Sequence, residues 1–356
     1  MVTNNRIIDG IIHVGILVFW LGAIWSLLLA PSLVRHFYTE RSISILAWPS
    51  VFTADFLDEF EKATQIKVRV TYFEHNEELL VKMQSGAAKG YDLVMPADYV
   101  VSLLAKKGLL KKIDKSRLLF WPGIQQSLLN QPFDPENNYT IPYAWSVYGI
   151  VVDTDKVHLA PSDYHWRLVF DAANHEYYVG MIDDAREIAS LAAFYLFNTR
   201  PRDLTHQQWN ELKKLLRSQK SRVAMYTDMR ADYLLFSGVC PIAVTNSSEI
   251  SRVVAGNDRF MFFVPEQGSF WVIDSFALPV TTKKEDLVYE FLNYLYQPEV
   301  MGLYAKRLGF SPAIALDNNE SALYSSVEKL SINQRQFFDD AVPEVQLSDL
   351  WINLKS

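Results

Sequence analysis

Residues 178–188 read YVGMIDDAREI, and this stretch decides the fold. A mostly apolar run comes first, two aspartates follow, and a second apolar run begins at Ile188. This order predicts a strand, a turn and a helix. Asp184 and Glu187 then lie in the first turn of the helix, where their spacing places both carboxylates on one face. They are called the acidic pair below.

Two interpretations of the acidic pair stay open from this stretch alone. An Asp followed three residues later by a Glu, ahead of an apolar run, is typical of a capping box, and both acids suit the positive end of a helix dipole. The other interpretation is an acidic binding site for a cationic ligand. Such a site needs partners from elsewhere in the chain.

The N-terminal part of the chain contains an uncharged apolar segment. Residues 10–34 include no Asp, Glu, Lys or Arg. At about 1.5 Å per residue, a helix of this length exceeds the roughly 30 Å hydrocarbon core of a bilayer. The segment is a signal peptide or an uncleaved anchor, and the poor cleavage pattern at residues 28–30 (LLA) favours the anchor. The flanking charges do not assign an orientation.

Composition excludes several classes of protein. The 356 residues carry a formal net charge of −7, which argues against a nucleic-acid surface. The only cysteine, Cys240, excludes an internal disulfide, and its apolar surroundings predict a buried, inert thiol rather than a nucleophile. The seven histidines lack metal-ligand spacing, and the phosphate-loop and G-x-S-x-G motifs are missing. We therefore predict no metal site, no cofactor and no catalytic centre.

The sequence from Ser42 onward is long enough for two domains. Between residues 43 and 110, β-prone runs alternate with helical ones, which predicts βαβ units and a largely parallel sheet. Ligands of such sheets bind beyond the carboxyl ends of the strands. Trp48 follows the first predicted strand, and Asp98 with Tyr99 follows the third. The alternatives are that Trp48 is a rim residue of the core and that Tyr99 belongs to a helix-capping staple.

The later sequence adds further candidates. Thr245 follows a predicted strand, and Thr205-x-x-Gln208 predicts a capped helix. The apolar run at residues 270–279 contains one acid, Asp274, whose burial is costly unless it is paired. The alternative is that Asp274 caps a turn. Residues 308–312 form a predicted loop, and the tail from residue 317 is weakly patterned.

A set of short motifs is distributed over positions 43–312. It consists of Trp48, residues 91–94 (YDLV) with Pro96 and Tyr99, residues 112–116 (KIDKS), residues 132–135 (PFDP), residues 141–143 (IPY) with Trp145, residues 183–187 (DDARE), and residues 271–279. With this set, the chain resembles the periplasmic spermidine/putrescine-binding proteins of polyamine ABC transporters.

The resemblance implies an α/β protein with the type II periplasmic-binding-protein fold, in which two α/β lobes are joined by crossover strands and the ligand occupies the cleft between them. We expect residues 1–42 to form the signal peptide or membrane anchor, as an N-terminal hydrophobic helix. Lobe 1 is then residues 43–145 plus 278–305, and lobe 2 is residues 146–277 plus 306–356. The implied function is polyamine capture in the periplasm and delivery to the permease of an ABC importer. A membrane-tethered sensor and an enzyme that uses Cys240 remain as alternatives.

The resemblance also implies which residues bind the ligand. It implies a ligand role for Trp48, Tyr99, Asp184, Glu187 and Asp274, and the further ligand-binding candidates are Asp98, Thr245, Trp271 and Phe310. Thr245 occupies a tryptophan position of the family and Phe310 a tyrosine position. Trp271 is offset by one from a family tryptophan, which aligns with Val272. The chemistry agrees, because a polyamine needs carboxylates for charge-assisted hydrogen bonds and aromatic faces for its methylenes and ammonium groups.

Overall fold

The structure is a computed structural model that describes residues 19–20, 25, 41–49, 51–160, 163–171, 177–227, 231–316, 335–338 and 342–355. These residues group into two compact units. The smaller unit contains Thr53–Arg69 with the described part of Met1–Ile43, and the larger contains Ser44–Phe52 and Val70–Ser356. The site residues discussed below all belong to the larger unit. The boundaries of the two lobes stay a prediction.

The first sheet confirms the predicted parallel arrangement. It has three strands, β1 (Ser42–Ala47), β2 (Lys67–Tyr72) and β3 (Leu93–Val94), in the order β2-β1-β3. Strands β1 and β3 run parallel, with Ile45 opposite Leu93. Their carboxyl ends therefore meet at one edge of the sheet, where Trp48 and Tyr99 follow.

The second sheet has eight strands and is mixed. Its strands are β4 (Ile141–Asp153), β5 (Val179–Met181), β6 (Val223–Tyr226), β7 (Ile242–Asn246), β8 (Phe260–Phe263), β9 (Ser269–Phe276), β10 (Ser311–Pro312) and β11 (Arg335–Phe337). The long, buried β4 pairs antiparallel with β7, β8, β9 and β10, whereas β5 pairs parallel with β6 and β7. The expectation of a loop at residues 308–312 is wrong at its end, because β10 pairs with β4.

Eleven α-helices have both ends within residues 41–355 of the described ranges. They are α1 (Ala54–Thr64), α2 (Asn76–Gln84), α3 (Asp98–Lys106), α4 (Arg167–Phe170), α5 (Ala185–Phe197), α6 (His206–Gln219), α7 (Ala231–Phe236), α8 (Ser247–Ala255), α9 (Glu285–Leu295), α10 (Pro298–Leu308) and α11 (Glu344–Lys355). Side-chain N-caps begin α1 and α6, among others, and the sequence predicted the one at Thr205. Thr53 accepts a hydrogen bond from the backbone of Phe56, and Thr205 with Gln208 forms a complete capping box.

The weakly patterned tail contains two ordered elements that the sequence did not predict. Strand β11 pairs parallel with β9, and α11 buries Leu347, Leu350 and Leu354 in the hydrophobic core around β4, β5 and α5. These two elements are therefore part of the folded core.

The predicted N-terminal hydrophobic helix lies almost entirely outside the described residues. Within the described ranges, the helices are too short or too polar to span a bilayer.

Candidate functional site

Asp184 caps α5 and uses one carboxylate oxygen to do so. Its Oδ1 accepts hydrogen bonds from the backbone N–H groups of Arg186 at 2.7 Å and Glu187 at 2.9 Å. This confirms the predicted cap. Burial raises the pKa of Asp184, and the two backbone donors oppose that rise. Among the described residues, no donor contacts Oδ2, so the cap does not exclude a ligand role.

Glu187 is held by a residue that sequence reasoning missed. The Tyr148 hydroxyl, on β4, donates to Glu187 Oε2 at 2.7 Å. Burial raises the pKa of Tyr148 well above its ordinary value, and the charges of Glu187 and Glu249 add to the rise. Tyr148 therefore stays a neutral donor. A tyrosine inside a long, mostly apolar strand is itself a signal, because its buried hydroxyl needs a partner.

Tyr99 lies beside the acidic pair. The Arg186 guanidinium carbon is 4.8 Å from the centroid of the Tyr99 ring, a cation–π distance. Burial raises the pKa of Tyr99, followed by the charges of Asp184 and Glu77. The structure thus brings Tyr99, Asp184 and Glu187 together, and it adds Arg186 and Glu77, which sequence reasoning did not include.

Trp48 and Asp98, the other ligand candidates near the first sheet, have different surroundings. The Trp48 ring packs on Phe73 at 4.3 Å between centroids, and it borders the same core cluster as Tyr99. Asp98 is the first residue of α3, is 2% exposed, and accepts a hydrogen bond from the backbone of Tyr99. Trp48 therefore lies at the carboxyl edge of the first sheet, whereas Asp98 is packed into the first turn of α3.

Asp274 and Trp271, two ligand candidates from one stretch of sequence, both lie on strand β9 but on opposite faces of it. Asp274 lies opposite Ala144 and Trp271 lies opposite Val147, without a register shift between them. Successive side chains of a strand point to opposite faces, so Asp274 and Trp271 face opposite sides of the sheet. Val272 shares the face of Asp274. This alternation could have been seen in the sequence.

Trp271 is 3% exposed and packs inside the protein. Its ring stacks on Trp145, with centroids 4.9 Å apart and an interplanar angle of 16°, and the Arg335 guanidinium carbon is 4.4 Å from it. These contacts give Trp271 a packing role in this structure, and its ligand role stays a prediction.

Asp274 is a half-buried acid. Among the described residues, no donor or cation contacts its carboxylate, and burial raises its pKa to about 6. Asp153 is the opposite case, because Arg259 donates to both of its oxygens, at 2.9 and 2.6 Å, and lowers its pKa. Over the same described residues, no hydrogen bond, ion pair or ring contact joins Asp274 to the acidic pair.

Phe310 and Thr245 have different surroundings. Gly309, with φ +79°, ends α10 in the left-handed region. The Phe310 ring that follows is 5.0 Å from that of Tyr143. Burial raises the pKa of Tyr143, and the charges of Tyr304 and Asp274 add to the rise. Thr245 is 3% exposed, and its hydroxyl donates to Glu249 Oε2 at 2.7 Å. Phe310 thus shares a neighbour with Asp274, whereas the Thr245 hydroxyl is already engaged.

Cys240 is buried, as predicted. It is 0% exposed, and burial raises the pKa of its thiol to about 11. A thiol of this kind is protonated and shielded at neutral pH. In the described part of the chain, no group of three or more His, Cys, Asp or Glu residues is placed to hold a metal ion.

Comparison with known proteins identifies the family. The sequence profile described as bacterial extracellular solute-binding protein matches residues 55–324. The chain belongs to this family. This solute-binding protein is 31% identical over 317 residues to the spermidine/putrescine-binding periplasmic protein of Escherichia coli K12, covering 85% of this chain and 88% of that protein. It is also 28% identical over 304 residues to the putrescine-binding periplasmic protein PotF of the same organism, covering 79% of this chain and 80% of PotF.

A solved structure shows the same fold. The spermidine/putrescine ABC transporter substrate-binding protein PotD of Streptococcus pneumoniae superposes with a TM-score of 0.74 at 25% identity, covering 88% of this chain and 98% of PotD. The solute-binding protein therefore has the type II periplasmic-binding-protein fold that the sequence predicts.

Proposed function

We propose that this solute-binding protein captures a polyamine, spermidine or putrescine, in the periplasm and delivers it to the permease of an ABC importer. The observation that carries the proposal is Asp274, a half-buried carboxylate that contacts no cation among the described residues. A buried acid is costly unless a cation pairs with it. The relatives are spermidine/putrescine-binding and putrescine-binding periplasmic proteins, which supports an ammonium group as that cation.

The proposed site divides the ligand between two groups of acids. The acidic pair receives one ammonium group through charge-assisted hydrogen bonds, and Asp274 receives another. The Trp48 and Tyr99 rings cover the methylenes between them. Tyr148 orients Glu187 by its hydrogen bond at 2.7 Å. Arg186, beside Tyr99, offsets part of the negative charge of the acidic pair. The site therefore selects amines by the positions of their ammonium groups as well as by the number of those groups.

Calorimetry of the full-length chain against putrescine, spermidine and spermine tests this proposal. We expect saturable binding of at least one of the three amines. 1,4-Butanediol, which has the carbon chain of putrescine without its charges, is the matched ligand control and should not bind. Absence of binding by all three amines would contradict the polyamine assignment.

We further propose that the chain binds its ligand without transforming it. The family consists of solute-binding proteins, and the thiol of Cys240 is buried with a raised pKa. In the folded protein, Cys240 should resist alkylation by iodoacetamide at pH 7.5. Rapid alkylation of Cys240, with loss of a chemical activity on the amine, would favour an enzyme.

The apolar segment at residues 10–34 is proposed to remain as a membrane anchor. Its length and its poor cleavage pattern support this. Mass spectrometry of the protein from the membrane fraction should give the mass of the uncleaved chain. A mature chain that begins between Pro31 and Ser42 would exclude the anchor.

A further inference from the structure

We propose that Phe338, in the C-terminal tail, is a positioning residue that holds the Tyr148–Glu187 hydrogen bond in place for cation binding. The inference rests on the proposed function, because it assigns a second layer of support to the same site. The tail has no role in the function derived above, although its short strand runs along β9.

Phe338 packs against the tyrosine that orients Glu187. Its ring meets the Tyr148 ring edge to face, with centroids 5.4 Å apart and an interplanar angle of 82°. It also stacks on Phe270 of β9 at 4.6 Å and 14°. All three side chains are at most 7% exposed. The edge-to-face contact restricts the Tyr148 ring, and the stack on Phe270 holds Phe338 in place against it. Together they favour one direction for the hydrogen bond that the Tyr148 hydroxyl donates.

A second contact reaches the helix that carries the acceptor. Phe270 meets Phe194 of α5 edge to face, with centroids 5.9 Å apart. Phe194 follows Glu187 by seven residues, so both lie on one face of α5. The aromatic cluster of Tyr148, Phe194, Phe270 and Phe338 therefore contacts both the strand of the donor and the helix of the acceptor.

Strand pairing fixes the place of Phe338 itself. Residues 335–337 pair parallel with β9, and Gln336 lies opposite Phe270. Phe338 follows directly and closes the cluster from the tail side. Loss of its ring would leave a cavity beside Tyr148. Glu187 would then meet the ligand without a fixed orientation, and a carboxylate that must be ordered on binding contributes less affinity.

The first experiment measures spermidine and putrescine affinity of the full-length protein. We expect Phe338→Ala to raise Kd about threefold to tenfold, the scale of one edge-to-face aromatic contact. Phe338→Leu, which keeps most of the apolar volume, should recover part of that loss. A positioning role requires that Phe338→Ala has little further effect in a Tyr148→Phe background, because the bond it supports is already absent. Fully additive losses would overturn the inference.

Leu350→Ala is the matched control for a merely structural role. Leu350 is 2% exposed, belongs to the same hydrophobic core and comes from α11 of the same tail. We expect it to lower thermal stability about as much as Phe338→Ala while leaving Kd unchanged. Equal losses of affinity in both variants would show that Phe338 acts only through overall stability.

A second measurement needs no ligand. Hydrogen exchange should accelerate at the amides of residues 185–188 in Phe338→Ala, and it should accelerate less there in Leu350→Ala. If the wild type binds no polyamine but the two variants show this pattern of exchange, the proposed function fails and the positioning role stands. Unchanged exchange at these amides would overturn the positioning role whatever the wild type binds.

Discussion

We propose that Asp184 has two roles, one for each of its carboxylate oxygens. Oδ1 receives both backbone donors of the cap, and no described donor contacts Oδ2. In Asp184→Asn, the amide oxygen must stay with the backbone donors, so the NH₂ group replaces Oδ2. Asn caps about as well as Asp, so the melting temperature should barely change. Cation binding loses a charge-assisted bond of roughly 1.5–3 kcal/mol, which is about tenfold or more in Kd.

Asp183→Asn is the control for that substitution. Asp183 is the neighbouring acid, and it forms an ion pair with Lys355 instead of capping α5. Its replacement should leave Kd unchanged when measured by the same calorimetry. Equal Kd values for the wild type, Asp183→Asn and Asp184→Asn would remove the acidic pair from the ligand site.

Asp274 should make binding depend on pH. Its pKa of about 6 lies above the ordinary value of 3.8, so the folded protein holds this proton more tightly than the unfolded chain does. Its contribution to stability therefore falls as pH rises from about 4 to 6. A bound ammonium group favours the ionised form, so polyamine affinity should increase as pH rises through 6. Titration calorimetry at pH 5, 6 and 7 measures this, and Asp274→Asn should bind more weakly with a flatter profile.

Residues of the candidate site could be predicted where neighbouring residues in the sequence form a recognisable spacing. The spacing of Asp184 and Glu187 was sufficient to find the acidic pair, and the period of a strand would have placed Trp271 on the face opposite Asp274. Tyr148 and Arg186 were missed because their contacts join residues distant in sequence. Glu187 is 39 residues from Tyr148, and no local pattern reports that distance.

Local capping predicted the starts of α5 and α6, and the cap of α6 supplies a test of an element away from the site. Thr205 and Gln208 bond reciprocally at the start of α6. Thr205→Ala should lower the free energy of unfolding by about 1 kcal/mol, the usual worth of an N-cap side chain. Urea denaturation measures that loss. The Kd for polyamine should stay at the wild-type value. A higher Kd would mean that α6 influences the site.

The tail shows where element prediction failed. Leu347, Leu350 and Leu354 of α11 have the spacing of a helix face, so this signal was present in the sequence. Strand β11 has only three residues and depends on pairing with β9, more than 60 positions earlier. Short strands are stabilised by distant partners and side-chain packing, and the local sequence carries little of that information.

The type II fold predicts movement of the whole molecule on binding. Strands β4 and β9 pair side by side near the predicted lobe boundaries, so a rotation of the lobes would be absorbed near residues 145–147 and 274–278. Small-angle scattering should show a smaller radius of gyration at saturating spermidine. The radius of the Asp274→Asn variant should respond only at higher ligand concentration. An unchanged wild-type radius at saturation would contradict closure.

The burial of Cys240 has a practical consequence for following this movement. The chain has one cysteine, and its thiol is 0% exposed with a pKa of about 11. Maleimide dyes should therefore react with introduced cysteines and leave Cys240 intact, without a cysteine-free background. Leu119 and Tyr178 are 82% and 57% exposed and fall in different predicted lobes, so they suit such a dye pair. Energy transfer between them would time the capture of a single ligand molecule.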